Sequence, residues 1–119
     1  MKLIIAGGRN YRLKSFEVEI LHLIHERNCV TEVVSGGAAG VDTCGEEWAG
    51  EVGLSVKRFL PEYEKYDGKI APLERNELMA QYAEACICFP GGRGTDDMAR
   101  RAQNWRLVFW DFRNRRIEE

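Results

Sequence analysis

A doubly wound α/β fold, five parallel strands with helices on both faces, is what this 119-residue sequence predicts. Three observations lead there. Short apolar or β-branched runs alternate with helical stretches along the whole chain. Most of the twelve glycines gather in three clusters, each directly after such a run. No apolar run approaches the ~18 residues of a membrane span. Parallel neighbours need crossover connections, and helices at this spacing supply them.

The elements follow in order. Residues 2–6 (KLIIA) form a first strand ended by Gly7-Gly8. Residues 15–27 form a helix with Ser15 as N-cap and Phe16, Ile20, Leu23 and Ile24 on its apolar face. Residues 31–35 (TEVVS) form the second strand, residues 36–40 (GGAAG) break it, and a helix carrying Val41, Cys44, Trp48 and Val52 runs to Gly53. Residues 54–60 make a third strand and residues 61–68 a polar, aromatic loop. Residues 71–82 make a helix burying Leu78, Met79 and Tyr82. Residues 84–89 (EACICF) are the fourth strand, Pro90 to Gly94 the third glycine loop, and Thr95 the N-cap of a helix to about Asn104. Residues 107–112 (LVFWDF) are the fifth strand. With no linker, repeat or low-complexity stretch, residues 1–119 read as a single domain.

Composition excludes several classes. At 45% hydrophobic and 30% charged residues the chain can build a core, and a formal charge of −2 lacks the basic excess of a sequence-independent nucleic-acid binder. Cys29, Cys44, Cys86 and Cys88 form no CxxC pair, and no secretory signal precedes them, so reduced thiols in a cytoplasmic protein are expected. Cys86 and Cys88 share a strand face as small buried groups. His22 and His25 lie three apart on a helix without thiolate or carboxylate company, so no metal is expected.

In doubly wound sheets ligands sit outside the carboxyl ends of the strands, where the winding reverses. Three such ends carry Gly-Gly here: Gly7-Gly8-Arg9, Ser35-Gly36-Gly37 and Pro90-Gly91-Gly92-Arg93-Gly94-Thr95. Glycine lets a ligand approach the backbone amides, and each following helix presents unpaired N–H groups, which suits phosphate. Arg9, Arg75 and Arg93 are the candidate cations. None of the loops fits GxxxxGK[ST] or GxGxxG, which argues against an ordinary ATPase or dehydrogenase. Asp42 could bond a ligand hydroxyl or order the GGAAG loop. Tyr63, Tyr66 and Lys69 could cover a base or lie in solvent.

These residues resemble a family. SGGAAGVD at 35–42 is similar to the SGGARGxD signature of the DNA-processing protein A, and PGGRGT at 90–95 is similar to the PGGxGT signature of the lonely-guy cytokinin-activating phosphoribohydrolases. Together with Gly7-Gly8-Arg9 and Arg75-Asn76 they resemble the SLOG superfamily of Rossmann-like, nucleotide-derivative-binding domains, most of all its small YspA-type branch. The resemblance implies a ligand such as an NAD or ADP-ribose derivative or a nucleoside phosphate, bound at the three loops in sensing or signalling, with no cofactor. It places Asn76 beside Arg75 in the ligand set, and it implies pairing into a homodimer or higher homo-oligomer, for which Trp105, Phe109, Trp110 and Phe112 offer aromatic surface.

Two rivals come with the resemblance. The hydrolases set an arginine, matched by Arg75, against a glutamate, and the glutamate position here is Met98. Methionine cannot stabilise a ribosyl cation or assist water, so hydrolysis would need Asp97 or Asp42 in its place. Asp97 reads alternatively as an exposed first-turn acid complementing the helix dipole. The other rival is single-stranded DNA binding through the arginines at 100, 101, 106, 113, 115 and 116, which the overall charge disfavours.

Overall fold

The computed structural model describes residues 1–113. Its elements alternate strictly: β1 (Lys2–Ala6), α1 (Ser15–Asn28), β2 (Glu32–Ser35), α2 (Val41–Val52), β3 (Ser55–Arg58), α3 (Ala71–Tyr82), β4 (Ala85–Cys88), α4 (Arg93–Asn104) and β5 (Val108–Asp111). All pairings are parallel, in the order β3-β2-β1-β4-β5. The chain winds outward from β1 through β2 to β3, then returns to place β4 on the other side of β1. The winding therefore reverses between β1 and β4, and a crevice opens there at the strands' carboxyl ends.

The sheet is covered on both faces. Leu3, Ile5, Val33 and Ile87 pack with Leu21 and Ile24 of α1 and Trp48 of α2, while Ile4, Val34, Cys86 and Cys88 pack with Met79 of α3 and Met98 of α4. Alternate residues of one strand thus serve opposite cores, which is why the inner strands read as unbroken apolar runs. His22, itself exposed, and His25 both contact Trp48: Nδ1 of His22 accepts a hydrogen bond from the indole at 3.2 Å, and His25 meets the same ring edge-on. A hydrogen bond with Cys88, and then burial, push the Cys86 thiol up, so it stays protonated. Among the described residues no helix is long and apolar enough to cross a membrane.

Several expected details are corrected. The N-cap of α1 is Lys14, not Ser15, and the buried stripe runs through Glu17, Leu21 and Ile24, leaving Phe16 and Leu23 exposed. Glu17 drives this shift. It is 2% exposed, accepts the Lys14 N–H at 2.8 Å and accepts the Tyr11 hydroxyl at 2.8 Å, so a carboxylate occupies the position an apolar reading would fill. Leu78 points outward, because α3 packs through Asn76, Met79 and Ala80. The third strand is shorter than residues 54–60 and fully exposed at the sheet's edge. Of the four C-terminal aromatics, Trp105 is exposed and the other three are half-buried.

The Tyr11–Glu17 contact makes a pH prediction. Burial, then the hydrogen bond and charge of Glu17, push the Tyr11 phenol up to about 12 from an ordinary 10. The folded state therefore holds this proton more tightly than the unfolded chain. The contact's stabilisation is complete below pH 10 and disappears as pH climbs to about 12. Tyr11→Phe should lower stability at neutral pH by about 1–2 kcal/mol and flatten this alkaline decline. Alkaline unfolding followed by circular dichroism tests it, and identical profiles for both proteins would exclude the coupling.

Candidate functional site

The three glycine loops meet at Gly8. Its N–H donates to the Pro90 carbonyl at 2.9 Å, and its own carbonyl accepts the Val41 N–H, the first of α2, at 3.1 Å. One residue of the first loop thus fastens the third loop on one side and the second on the other. The glycines divide by what a side chain would meet. A Cβ on Gly7 would run into Val41, one on Gly40 into the Gly8 and Arg9 carbonyls, and one on Gly91 into Thr95 and the Gly8 nitrogen. These positions let backbones touch. Gly92 and Gly94 instead face open space, with nothing within 4 Å of an added Cβ.

Helix α4 begins at Arg93, with Gly92 as its N-cap, so Thr95 lies buried within the first turn rather than capping it. A glycine cap brings no side-chain oxygen. Among the described residues no group accepts a hydrogen bond from the N–H of Arg93, Gly94 or Thr95. Three aligned donors at the positive end of a helix are thereby left facing the crevice.

The crevice is a cleft of about 540 Å³. It is lined by twelve of the residues expected to bind ligand: Gly7, Gly8, Arg9, Gly36, Gly37, Asp42, Arg75, Asn76, Gly92, Arg93, Gly94 and Thr95. Ser35, Pro90 and Gly91 lie outside this lining. The Ser35 hydroxyl donates to Glu46 at 2.6 Å and accepts the Gly37 N–H at 3.0 Å, which ties the second loop to α2. Burial opposes the Glu46 charge, yet Arg58 and Ser35 together hold its carboxyl below the ordinary value. Leu60, Pro61, Tyr63 and Leu73 add apolar lining to the cleft, and of these the sequence points only to Tyr63. Tyr66 and Lys69 do not line the cleft.

The three candidate arginines differ. Arg75 donates through Nη1 to Gly36 O at 2.5 Å and through Nε to Asn76 Oδ1 at 3.1 Å, so much of its guanidinium is committed to the protein. Burial lowers its pKa, with Asp42 working against this. Arg9 and Arg93 are exposed, and neither has a carboxylate partner among the described residues. They are the cations available to an incoming anion.

The acids differ too. Asp42 orders the second loop by accepting the Ala38 N–H at 3.1 Å, and among the described residues it is the only acid lining the cleft. Burial raises its pKa, offset in part by the Ala38 N–H and by Arg75. Asp97 is not an exposed first-turn acid. Its side chain is 9% exposed, lies outside the cleft lining, and accepts from Arg100 at 2.6 Å, Arg101 at 2.8 Å and Asn76 at 3.0 Å. Met98, 2% exposed, does line the cleft.

The sequence model of the YspA, cpYpsA-related SLOG family matches residues 1–66, more than half of the chain. The chain belongs to this SLOG family. Membership associates it with nucleotide-related binding or processing. The matched span holds the first two glycine loops and Asp42, and ends just beyond Tyr63. The Gene 61 protein of Mycobacterium phage D29 is 31% identical over an alignment of 110 residues that covers 86% of this SLOG chain and 88% of the phage protein. The X-ray structure of TM1055, a Northeast Structural Genomics Consortium target, superposes with a TM-score of 0.66 at 17% identity, over 91% of this chain and 71% of that one. That likeness is one of fold.

Proposed function

We propose that this SLOG protein binds a nucleotide-derived small molecule, a nucleoside phosphate or an NAD or ADP-ribose derivative, and acts in sensing or signalling. The observation that carries the reading is the start of α4. Three N–H groups without acceptors among the described residues belong to a turn whose two glycines leave the approach open, and Arg9 and Arg93 are exposed in the same lining. A phosphate there gains charge-assisted hydrogen bonds of about 1.5–3 kcal/mol each. Leu60, Tyr63 and Leu73 offer an apolar surface for a base, and Asp42, which lines the same cleft, offers an acceptor for a ribose hydroxyl.

Two observations weigh against the rivals. Hydrolysis at the lonely-guy position lacks its carboxylate, since Met98 is apolar and Asp97 is bonded elsewhere; Asp42 is the acid left to an enzyme. For single-stranded DNA, Arg100, Arg101 and Arg113 already hold carboxylates, and the arginines at 115 and 116 lie outside the described residues.

Titration calorimetry with AMP, ADP-ribose and inorganic phosphate tests the reading. At least one of the two nucleotides should bind, Arg93→Ala should weaken it by about 10- to 100-fold, and no free base should be released. Absence of binding by all three, with no nucleotide retained on protein purified from its host, would reject the proposal. Steady base release abolished by Asp42→Asn would replace it with the enzyme.

A further inference from the structure

Behind the first turn of α4 the hydrogen bonds converge on Asn76, which is 6% exposed. Its amide nitrogen donates to Gly94 O at 3.2 Å and to Asp97 Oδ2 at 3.0 Å, and its Oδ1 accepts from Arg75 Nε at 3.1 Å. The amide orientation is fixed by chemistry. Turned over, it would set oxygen against two acceptors and nitrogen against a donor. Both amide hydrogens therefore serve protein acceptors, and Asp97 is itself held by Arg101 Nε at 2.8 Å. Neither side chain has a hydrogen to offer a ligand.

We propose that Asn76 and Asp97 are positioning residues of the anion site. Asp97, anchored on Arg101, orients the Asn76 amide. The amide then fixes two parts of the cleft at once, the Gly94 carbonyl in the first turn of α4 and the guanidinium of Arg75, which reaches across to the second glycine loop at Gly36 O. The proposal rests on the anion-binding reading above and changes the role of Asp97 from candidate acid to support. Its chemistry separates two variants. Asparagine at 97 keeps an oxygen that can accept from both Asn76 and Arg101, whereas alanine keeps nothing.

The test uses the full chain and two measurements: calorimetric affinity for inorganic phosphate and AMP, with the folded fraction checked by circular dichroism, and solvent exchange of the Arg75 Nε–H by NMR without ligand. Asn76→Ala and Asp97→Ala should each weaken binding by about tenfold, the double variant should cost no more than the worse single one, and Asp97→Asn should retain near wild-type affinity. Exchange at Arg75 Nε should quicken several-fold in both alanine variants and not in Asp97→Asn. If Asn76→Ala does not fold, Asp97→Ala and Asp97→Asn carry the comparison. Wild-type protein that binds neither probe, yet shows the exchange pattern, would reject the anion reading and leave the positioning roles standing. The positioning roles are overturned by unchanged exchange in the alanine variants, by additive losses in the double variant, or by an Asp97→Asn variant as weak as Asp97→Ala.

Discussion

Gly92→Val is expected to abolish binding of phosphate and nucleotides while leaving the fold intact, and Gly91→Val one position earlier is expected to damage the fold itself. At Gly92 the backbone sits at φ −111°, ψ −146°, outside the left-handed region, and an added Cβ meets nothing within 4 Å. Valine is a poorer N-cap than glycine, so stability should fall by about 0.5–1 kcal/mol, too little to unfold the domain. The new isopropyl group would fill the approach to the N–H groups of Arg93, Gly94 and Thr95, so an anion loses its charge-assisted hydrogen bonds together. At Gly91 the added Cβ would lie 2.7 Å from the Gly8 nitrogen and 3.0 Å from the Gly7 carbonyl carbon, and closer still to the Thr95 hydroxyl. That backbone cannot yield without breaking the Gly8 N–H bond to Pro90 O, the link that joins the first and third loops. Forcing a side chain into such a contact costs about 1–3 kcal/mol, and the bond is lost besides. Thermal unfolding and calorimetry on the two variants separate the effects. Unchanged phosphate affinity in Gly92→Val would move the anion elsewhere, and a wild-type melting temperature in Gly91→Val would deny the close approach of the loops.

The strand order could not be read from the residues, but the alternation could, because glycine clusters punctuate the chain after strands of strong β-branched or apolar character. What misled was polarity inside the buried stripes. Glu17 in α1 and Asn76 in α3 stand where apolar side chains are expected, so spacing rules that follow large hydrophobes select Phe16, Leu23 and Leu78, all of which face water. Both buried polar residues satisfy their atoms locally, Glu17 with Tyr11 and the Lys14 N–H, Asn76 with Gly94 and Asp97. Sequence shows the residue but not the partner. Asp97 failed for a related reason. Taking Thr95 as N-cap puts Asp97 in the exposed first turn, whereas a helix capped by Gly92 carries it into the second turn and against α3. The glycine loops and Asp42 were legible because their residue types are needed wherever backbones and anions approach. Of the apolar lining, Leu60 and Pro61 come from a connection without periodicity and Leu73 from the exposed first turn of α3, so none left such a signal.

Arg75→Ala is expected to lower stability by about 2–4 kcal/mol at neutral pH, because the residue is a staple before it is a ligand contact. Its guanidinium donates to Gly36 O at 2.5 Å, Phe59 O at 3.4 Å, Pro72 O at 3.3 Å and Asn76 Oδ1 at 3.1 Å, joining the second glycine loop, the end of the third strand and α3. Truncation removes these hydrogen bonds and leaves the half-buried carboxylate of Asp42 without its neighbouring cation. Burial already raises the Asp42 pKa, and Arg75 is one of the groups that lower it. Without Arg75 the folded-state value moves further above that of the unfolded chain. The folded variant then binds a proton that the unfolded chain has released, so the contribution of Asp42 to stability is most favourable at low pH and declines as pH rises through the folded-state pKa. The penalty of Arg75→Ala should accordingly be smaller at pH 4.5 than at pH 7.5. Adding Asp42→Asn should recover part of the loss at pH 7.5, since the amide can still accept the Ala38 N–H but carries no charge to bury. Chemical denaturation of wild type, both single variants and the double variant at the two pH values measures this. A penalty independent of pH, unrelieved by Asp42→Asn, would show that Arg75 acts on the loops through its hydrogen bonds alone and that its charge has no bearing on Asp42.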